Sequence, residues 1–452
     1  MAKKLWGGRF SKKTDPAVEK FTKSIHYDYK LAPYDIIGSL IQTTVLKDAG
    51  YLNAGEAGKL SAALESIGKS VENGSFRYDK NSEDIHTDIQ NKLQGRVNGL
   101  ALKLHTARSR NDQVIFSTRL YCLDAARKAG LKIEALIKAV SVLSCRGSNQ
   151  KMILPGFTHM QHAQPVYLKD YLRAYIEMLS RDKARIDGII AGLPLKMGAG
   201  ALAGTPIRAE VYRKAILKVL KKYKCFPKAK VGSVTNSLDT VSDRDFVIES
   251  AGALAMLATH LSRLAEDLII WSSREFGFVE IDEAFCTGSS LMPQKKNADV
   301  LEMVRGYAGR ITGNLVSLLT MMKGLPLTYN RDMQLDKEPL FESFEILFME
   351  LEVLSGLMAT LRFNKARIEA YLEDEGLYAT DLVYYLVGKK IPFRKAHTIV
   401  GELVKYSGKT GEKIRELPES KLKEFCGLFR KEEVVKLFDP KKSVESKLSI
   451  KR

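Results

Sequence analysis

A chain of 452 residues is long enough to bury a large core and to divide into two or three domains. Hydrophobic content of 45% with 27% charged residues is ordinary for a soluble globular protein. No run approaches the roughly 18 apolar residues of a membrane span. Lys+Arg of 71 against Asp+Glu of 53 gives a net charge of +18, which favours anionic ligands. The densest basic cluster, Arg213–Lys230, has eight basic residues and two aromatics but no nucleic-acid-binding motif beside it. It reads as a solvated helix face and loop. Neither a nucleic acid nor a membrane is expected as a partner.

In chain order, Trp6-Gly7-Gly8-Arg9-Phe10 is a glycine-containing arm with no apolar leader around it. Ser24-Ile25-His26-Tyr27-Asp28 enters a helical stretch through Leu40, Leu46 and Ala49, and Gly50-Tyr51-Leu52 ends it. A second helix is predicted from about Ala54 to Glu72, and Glu83-Asp84-Ile85-His86-Thr87 has the composition of a helix start. Long helices follow over about Asp112–Leu143, Val166–Ile190 and Asp243–Phe276. In the last, Val247, Leu254, Leu257, Leu261, Leu264 and Leu268 recur mostly three and four apart, a coiled-coil-like seam. Helices this long need neighbours along their length, from a bundle or from other subunits. No alternating pattern supports a substantial sheet. Pro392, Pro418 and Pro440 punctuate a smaller helical region at the end. The divisions expected are 1–105, 106–362 and 363–452. Five scattered cysteines, with no Cys-x-x-Cys pair, fit a reducing cytoplasm.

Chemistry concentrates at the breaks between helices. Thr287-Gly288-Ser289-Ser290-Leu291-Met292-Pro293-Gln294-Lys295-Lys296-Asn297 places hydroxyls, lysines and an amide before a helical pattern through Val300, Leu301, Val304 and Tyr307. Such a loop suits an anionic ligand at a helix N-terminus, and it equally suits a surface loop. Gly156-Phe157-Thr158-His159-Met160-Gln161-His162-Ala163-Gln164-Pro165 gathers His, Thr and Gln ahead of a long helix. A histidine there suits proton transfer near neutral pH, or the cluster caps the helix. Two histidines three apart suit a metal, but no further ligand cluster supports one. Arg110 offers a fork for a carboxylate, and Asn111 offers both donor and acceptor. Tyr329–Glu338 passes for a polar loop.

Gly288-Ser289-Ser290-x-Met292-Pro293-x-Lys295-x-Asn297 resembles the signature loop of the aspartase/fumarase superfamily. The Gln294-Lys295-Lys296-Asn297 variant resembles the argininosuccinate lyase family. Thr158-His159-x-Gln161-x-Ala163-Gln164-Pro165 and Ser109-Arg110-Asn111-Asp112-Gln113 resemble two further motifs of that family. So do the Trp6–Phe10 arm, Ser24-Ile25-x-Tyr27-Asp28, Glu83–His86, Gly200–Thr205 and Ser242–Phe246, all in the family's order. Leu335 stands where the family usually has glutamate, and Ala298 where a proline commonly follows the signature asparagine.

The resemblance implies an all-α fold of three domains, with a central bundle of long helices shared in a homotetramer whose active sites draw on several chains. It implies cofactor-free, metal-free cleavage of argininosuccinate to arginine and fumarate. Ser289 is implied as general base with Lys295 as its activator. His159 is implied as acid, with Glu302 orienting it; which of Ser289 and His159 takes the proton stays open. Ser24, His86, Arg110, Asn111, Thr158, Arg244, Asn297, Tyr329, Gln334 and Lys337 are implied at the substrate. The rival expectations are another fumarate-releasing lyase, such as adenylosuccinate lyase, a crystallin-like structural protein, and a basic nucleic-acid-binding protein.

Overall fold

The computed structural model describes residues 12–223, 225–226 and 229–449; the Trp6–Phe10 arm lies outside the described residues. Helix α1 (Ala32–Asp48) is buried on nearly every side. A helix apolar all round has to be enclosed, and α1 packs on α2 (Ala54–Glu72) and α3 (Ile85–Val97). Helix α2 begins with a capping box. Asn53 Oδ1 accepts from the Glu56 amide at 2.9 Å, and Glu56 Oε2 accepts from the Asn53 amide at 3.0 Å.

Five long helices follow: α4 (Arg110–Cys145), α5 (Leu168–Gly192), α6 (Asp245–Ser272), α7 (Asp299–Met322) and α8 (Lys337–Thr360). At about 1.5 Å per residue the 36 residues of α4 extend about 54 Å. The seam expected in α6 is core: Val247, Leu254, Leu257, Leu261, Leu264 and Leu268 are each at most 2% exposed. Towards the end of the chain, α9 (Ala379–Gly388) packs on α10 (Phe393–Thr410).

Among the described residues, strands form only three antiparallel pairs: β1 (Ile153–Thr158) with β2 (Gln161–Tyr167), β3 (Val279–Glu280) with β6 (Arg362–Phe363), and β4 (Thr287–Gly288) with β5 (Lys296–Asn297). The first pair lies in the break before α5, where sequence suggested only a polar cluster. Pro155, Gly156 and Pro165 interrupt any period-two pattern there, yet a two-stranded hairpin tolerates them. Its ladder shifts register between Pro155 and Phe157. A Cβ on Gly156 would sit 2.4 Å from the Gln164 carbonyl oxygen, so only glycine fits the irregularity.

The chain forms two compact units. The first takes the described residues up to Glu134 with Arg181–Thr259 and Gly306–Leu351; the second takes Ala135–Ser180, His260–Arg305 and the described residues from Glu352. In the first, the Tyr121 ring lies 5.7 Å from that of Tyr34 and 4.4 Å from that of Phe341, tying α4 to α1 and α8. In the second, Phe157, Phe276, Phe278 and Tyr371 form an aromatic cluster beneath the β1–β2 hairpin.

Candidate active site

The four residues with implied catalytic roles all fall in the second unit, with Thr158 and Asn297. Strands β4 and β5 close the base of the signature loop, pairing Thr287 with Asn297 and Gly288 with Lys296. Thr287 Oγ1 donates to the carboxylate of Asp299, the first residue of α7. Inside the loop, the amides of Leu291 and Met292 donate to Ser289 Oγ at 3.2 and 3.0 Å. The Lys295 amide donates to the Met292 carbonyl at 3.1 Å, so the loop turns back on itself and carries Lys295 on an exposed rim. Two donors aimed at one hydroxyl oxygen lower the cost of negative charge there.

The β1–β2 hairpin has a two-residue turn, His159-Met160, between the paired Thr158 and Gln161. Both turn residues have positive φ, 54° and 60°, the combination a type I′ turn requires. Asn and Gly normally occupy such positions; a His-Met pair carries strain there. The turn lifts His159 into solvent beside the exposed Met160. Its neighbour His162 differs. The His162 Nδ1 hydrogen-bonds the Asp374 carboxylate, and its ring packs 5.0 Å from Phe157 and 5.8 Å from Tyr371. The hairpin thus gives one histidine a structural partner and leaves the other facing solvent. Glu302 is exposed on the first turn of α7 and makes no hydrogen bond or ion pair with His159 among the described residues of one chain.

The first unit holds Ser24, His86, Arg110, Asn111, Arg244, Tyr329, Gln334 and Lys337. Ser24 Oγ donates to Asp28 at 2.6 Å, and Asp28 also accepts the Ile85 amide at 3.0 Å. Burial pushes the Asp28 carboxyl above the ordinary range, against the pull of His86 and Lys337. His86 is buried, its Nδ1 2.8 Å from Asp35 Oδ1. Arg110 is held three ways: by Gln113 Oε1 at 2.6 Å, Thr87 Oγ1 at 3.0 Å and Asp84 at 3.2 Å. Asn111 is half-buried in the first turn of α4. Gln334 Nε2 donates to the Thr22 carbonyl at 3.4 Å. Burial raises the Tyr329 hydroxyl above its ordinary range, keeping it protonated and able to donate.

Arg244 and Lys337 share one carboxylate. Arg244 Nε lies 2.5 Å from Asp336 Oδ2, and Lys337 Nζ lies 2.8 Å from Asp336 Oδ1. All three are at most 2% exposed. Burial alone would raise the Asp336 pKa, but the two cations and their hydrogen bonds outweigh it and lower it. Two cations on one carboxylate leave an excess of positive charge at this poorly solvated pair, which an incoming anion would offset. Among the described residues, no three His, Cys, Asp or Glu side chains are grouped to hold a metal ion.

A lyase family model matches residues 8–313, and a model of the argininosuccinate lyase C-terminal region matches residues 376–445. The argininosuccinate lyase of Syntrophobacter fumaroxidans is 44% identical over 428 residues, covering 94% of this chain and 89% of that protein. The argininosuccinate lyase of Desulfotalea psychrophila is 41% identical over 451 residues, covering 99% and 94%. The chain belongs to the argininosuccinate lyase family. Solved structures carry the same fold. An EDDS lyase in complex with formate superposes with a TM-score of 0.79 at 25% identity, covering 96% of this chain and 86% of that one. The class II fumarase of Schistosoma mansoni superposes with a TM-score of 0.78 at 18% identity, covering 93% and 91%.

Against this family background, three carboxylates went unassigned in the sequence: the buried Asp35 and Asp336 and the half-buried Asp84. Asp84 both caps α3, accepting the Thr87 amide at 2.6 Å, and pairs with Arg110. The one signal for Asp35 was a charged residue inside the apolar run Tyr34-Asp35-Ile36-Ile37. Asp336 sits in a segment that reads as a polar loop, and nothing local marks it as buried.

Proposed function

We propose that this chain cleaves argininosuccinate to arginine and fumarate by proton abstraction and elimination. The observation that carries the mechanism is Ser289 Oγ, already the acceptor of two loop amides. Removing a proton from a carbon beside a carboxylate builds a doubly negative species, which needs preorganised donors and cations. Ser289, its alkoxide stabilised by those amides and by Lys295, takes the proton. The electron pair left on carbon first delocalises into the neighbouring carboxylate. It then forms the fumarate double bond as the carbon–nitrogen bond breaks. His159 returns a proton to the departing guanidine nitrogen, with Glu302 orienting it. Arg110, Lys337 and Asn297 face the substrate carboxylates. Ser24, His86, Asn111, Thr158, Arg244, Tyr329 and Gln334 complete the substrate site. The linear division at residues 105 and 362 belongs to the same reading.

We also infer a cytoplasmic homotetramer whose sites draw on several copies. Exposed apolar residues on α7 support association. Met303, Val316 and Leu319 are 53%, 55% and 49% exposed, and the same helix carries Gly306, Gly309 and Gly313. Small residues let helices approach closely, and exposed apolar ones need cover. No described helix is long and apolar enough to cross a membrane.

Appearance of arginine and fumarate in equal amounts from argininosuccinate tests the reaction. A folded protein that forms neither product would refute it. Mixing dissociated and reassociated Ser289→Ala and Lys337→Met chains tests the sharing of sites. Recovered activity is expected; a mixture as inactive as its parents, with tetramers re-formed, would contradict it.

A further inference from the structure

Asp35 lies on α1, 1% exposed, with no role in the chemistry above. One of its oxygens, Oδ1, receives two contacts: His86 Nδ1 at 2.8 Å and Gln113 Nε2 at 2.6 Å. An ionised carboxylate only accepts, so both partners must present N–H to it. Burial would favour the neutral acid, but His86, Arg108 and the bond from Gln113 outweigh it and hold Asp35 ionised.

That polarity propagates. The Gln113 amide has one donating end and one accepting end. With its NH2 turned to Asp35, its oxygen must face Arg110 Nη1, 2.6 Å away. Turned over, the amide would set NH2 against guanidinium, donor against donor. His86 acts on the other side. It lies on α3 directly before Thr87, whose hydroxyl accepts from Arg110 Nη2 at 3.0 Å. Asp84, the cap of the same helix, forms an ion pair with Arg110, its Oδ2 3.2 Å from Nε. A single oxygen of Asp35 therefore ties α3 to α4 where each helix grips Arg110. The hydrogen bonds to Gln113 and Thr87 use one N–H of each terminal guanidinium nitrogen and leave one on each for a carboxylate.

We propose that Asp35 is a positioning residue: through Gln113 and His86 it orients Arg110 towards a substrate carboxylate. This rests on the reading in which Arg110 binds the substrate. Lost orientation of one charge-assisted contact changes binding about tenfold.

The test is a kinetic cycle on the full-length protein, with Asp35→Ala, Gln113→Met and Arg110→Ala made singly and in pairs. Asp35→Ala and Gln113→Met are each expected to lower kcat/KM about tenfold, mainly by raising KM, the scale of one charge-assisted hydrogen bond. In the Arg110→Ala background each is expected to change kcat/KM less than about twofold, because contacts acting as one unit do not add. Equal losses in both backgrounds would mark a merely structural role and overturn the proposal. So would wild-type KM in Gln113→Met. Gln113→Met keeps the test open should Asp35→Ala fail to fold. A crystal structure of Gln113→Met gives a readout independent of turnover. Arg110 is expected to leave Thr87 and Asp84, and a guanidinium still seated on both refutes the proposal. A wild-type protein that does not turn over argininosuccinate would instead defeat the functional reading, and the crystal structure would still decide the role of Asp35.

Discussion

Replacing Asp336 by Asn removes the charge that Arg244 and Lys337 share. Asp336 is 0% exposed, with Arg244 Nε at 2.5 Å and Lys337 Nζ at 2.8 Å. Asparagine keeps the shape but leaves two buried cations without the counter-charge they share. Breaking a buried pair in this way costs about 3–5 kcal/mol. An internal control is the Arg305–Glu266 pair, 2.7 Å apart with both side chains 45% exposed. Glu266→Gln is expected to leave the unfolding midpoint close to that of the wild type, because water screens and competes for exposed pairs. The assay is urea unfolding of both variants beside the wild type at pH 7, followed by circular dichroism. The sign with pH follows from the lowered Asp336 pKa. A carboxylate depressed in the folded state stabilises above its unfolded pKa and loses that contribution as pH falls through the folded value. The gap between Asp336→Asn and wild type should therefore narrow on acidification. A cost below about 1 kcal/mol at pH 7, or a gap that widens in acid, would refute the shared-carboxylate argument.

Other consequences are as direct. Ser289→Ala is expected to lose about 10²–10⁴-fold in kcat while keeping its oligomer and circular dichroism, as removal of a general base does; near-normal turnover would remove Ser289 from the chemistry. Met160→Gly should stabilise the fold by up to about 1 kcal/mol, since glycine takes the φ of 60° without a Cβ penalty. A lower melting temperature in that variant would show that Met160 packs rather than strains. Glu350 is 5% exposed, neither carboxylate oxygen has a hydrogen-bond partner among the described residues, and burial raises its pKa from 4.5 to about 8. It stays neutral when folded and ionises when unfolded between those values, so wild-type stability should fall as pH rises from 4.5 to 8. Glu350→Gln should flatten that slope, and an unchanged slope would place the titration elsewhere.

The long helices were legible because their signals are local. Helix α2 starts at Ala54 and ends at Glu72, the limits expected from the sequence. The α6 seam could be read because Val247 to Leu268 repeats at helical spacing and nothing breaks it. The β1–β2 hairpin was not legible. Its strands hold prolines and a glycine, and its turn uses His159-Met160 in place of an Asn-Gly pair. The candidate site was legible only where its residues cluster in sequence, as in the loop around Ser289. Asp35 and Asp336 act across gaps: Asp35 meets His86 51 positions on, and Asp336 meets Arg244 92 positions back. A buried carboxylate with distant partners leaves no periodicity to find. Its sign is only a charge in an apolar run for Asp35, and none at all for Asp336.

The most direct test is absorbance in the fumarate band after the wild-type protein is added to argininosuccinate, with adenylosuccinate, aspartate and malate in parallel. We expect fumarate from argininosuccinate alone, with arginine in equal amount. Fumarate from one of the other three, or none from any by a folded tetramer, would contradict the assignment.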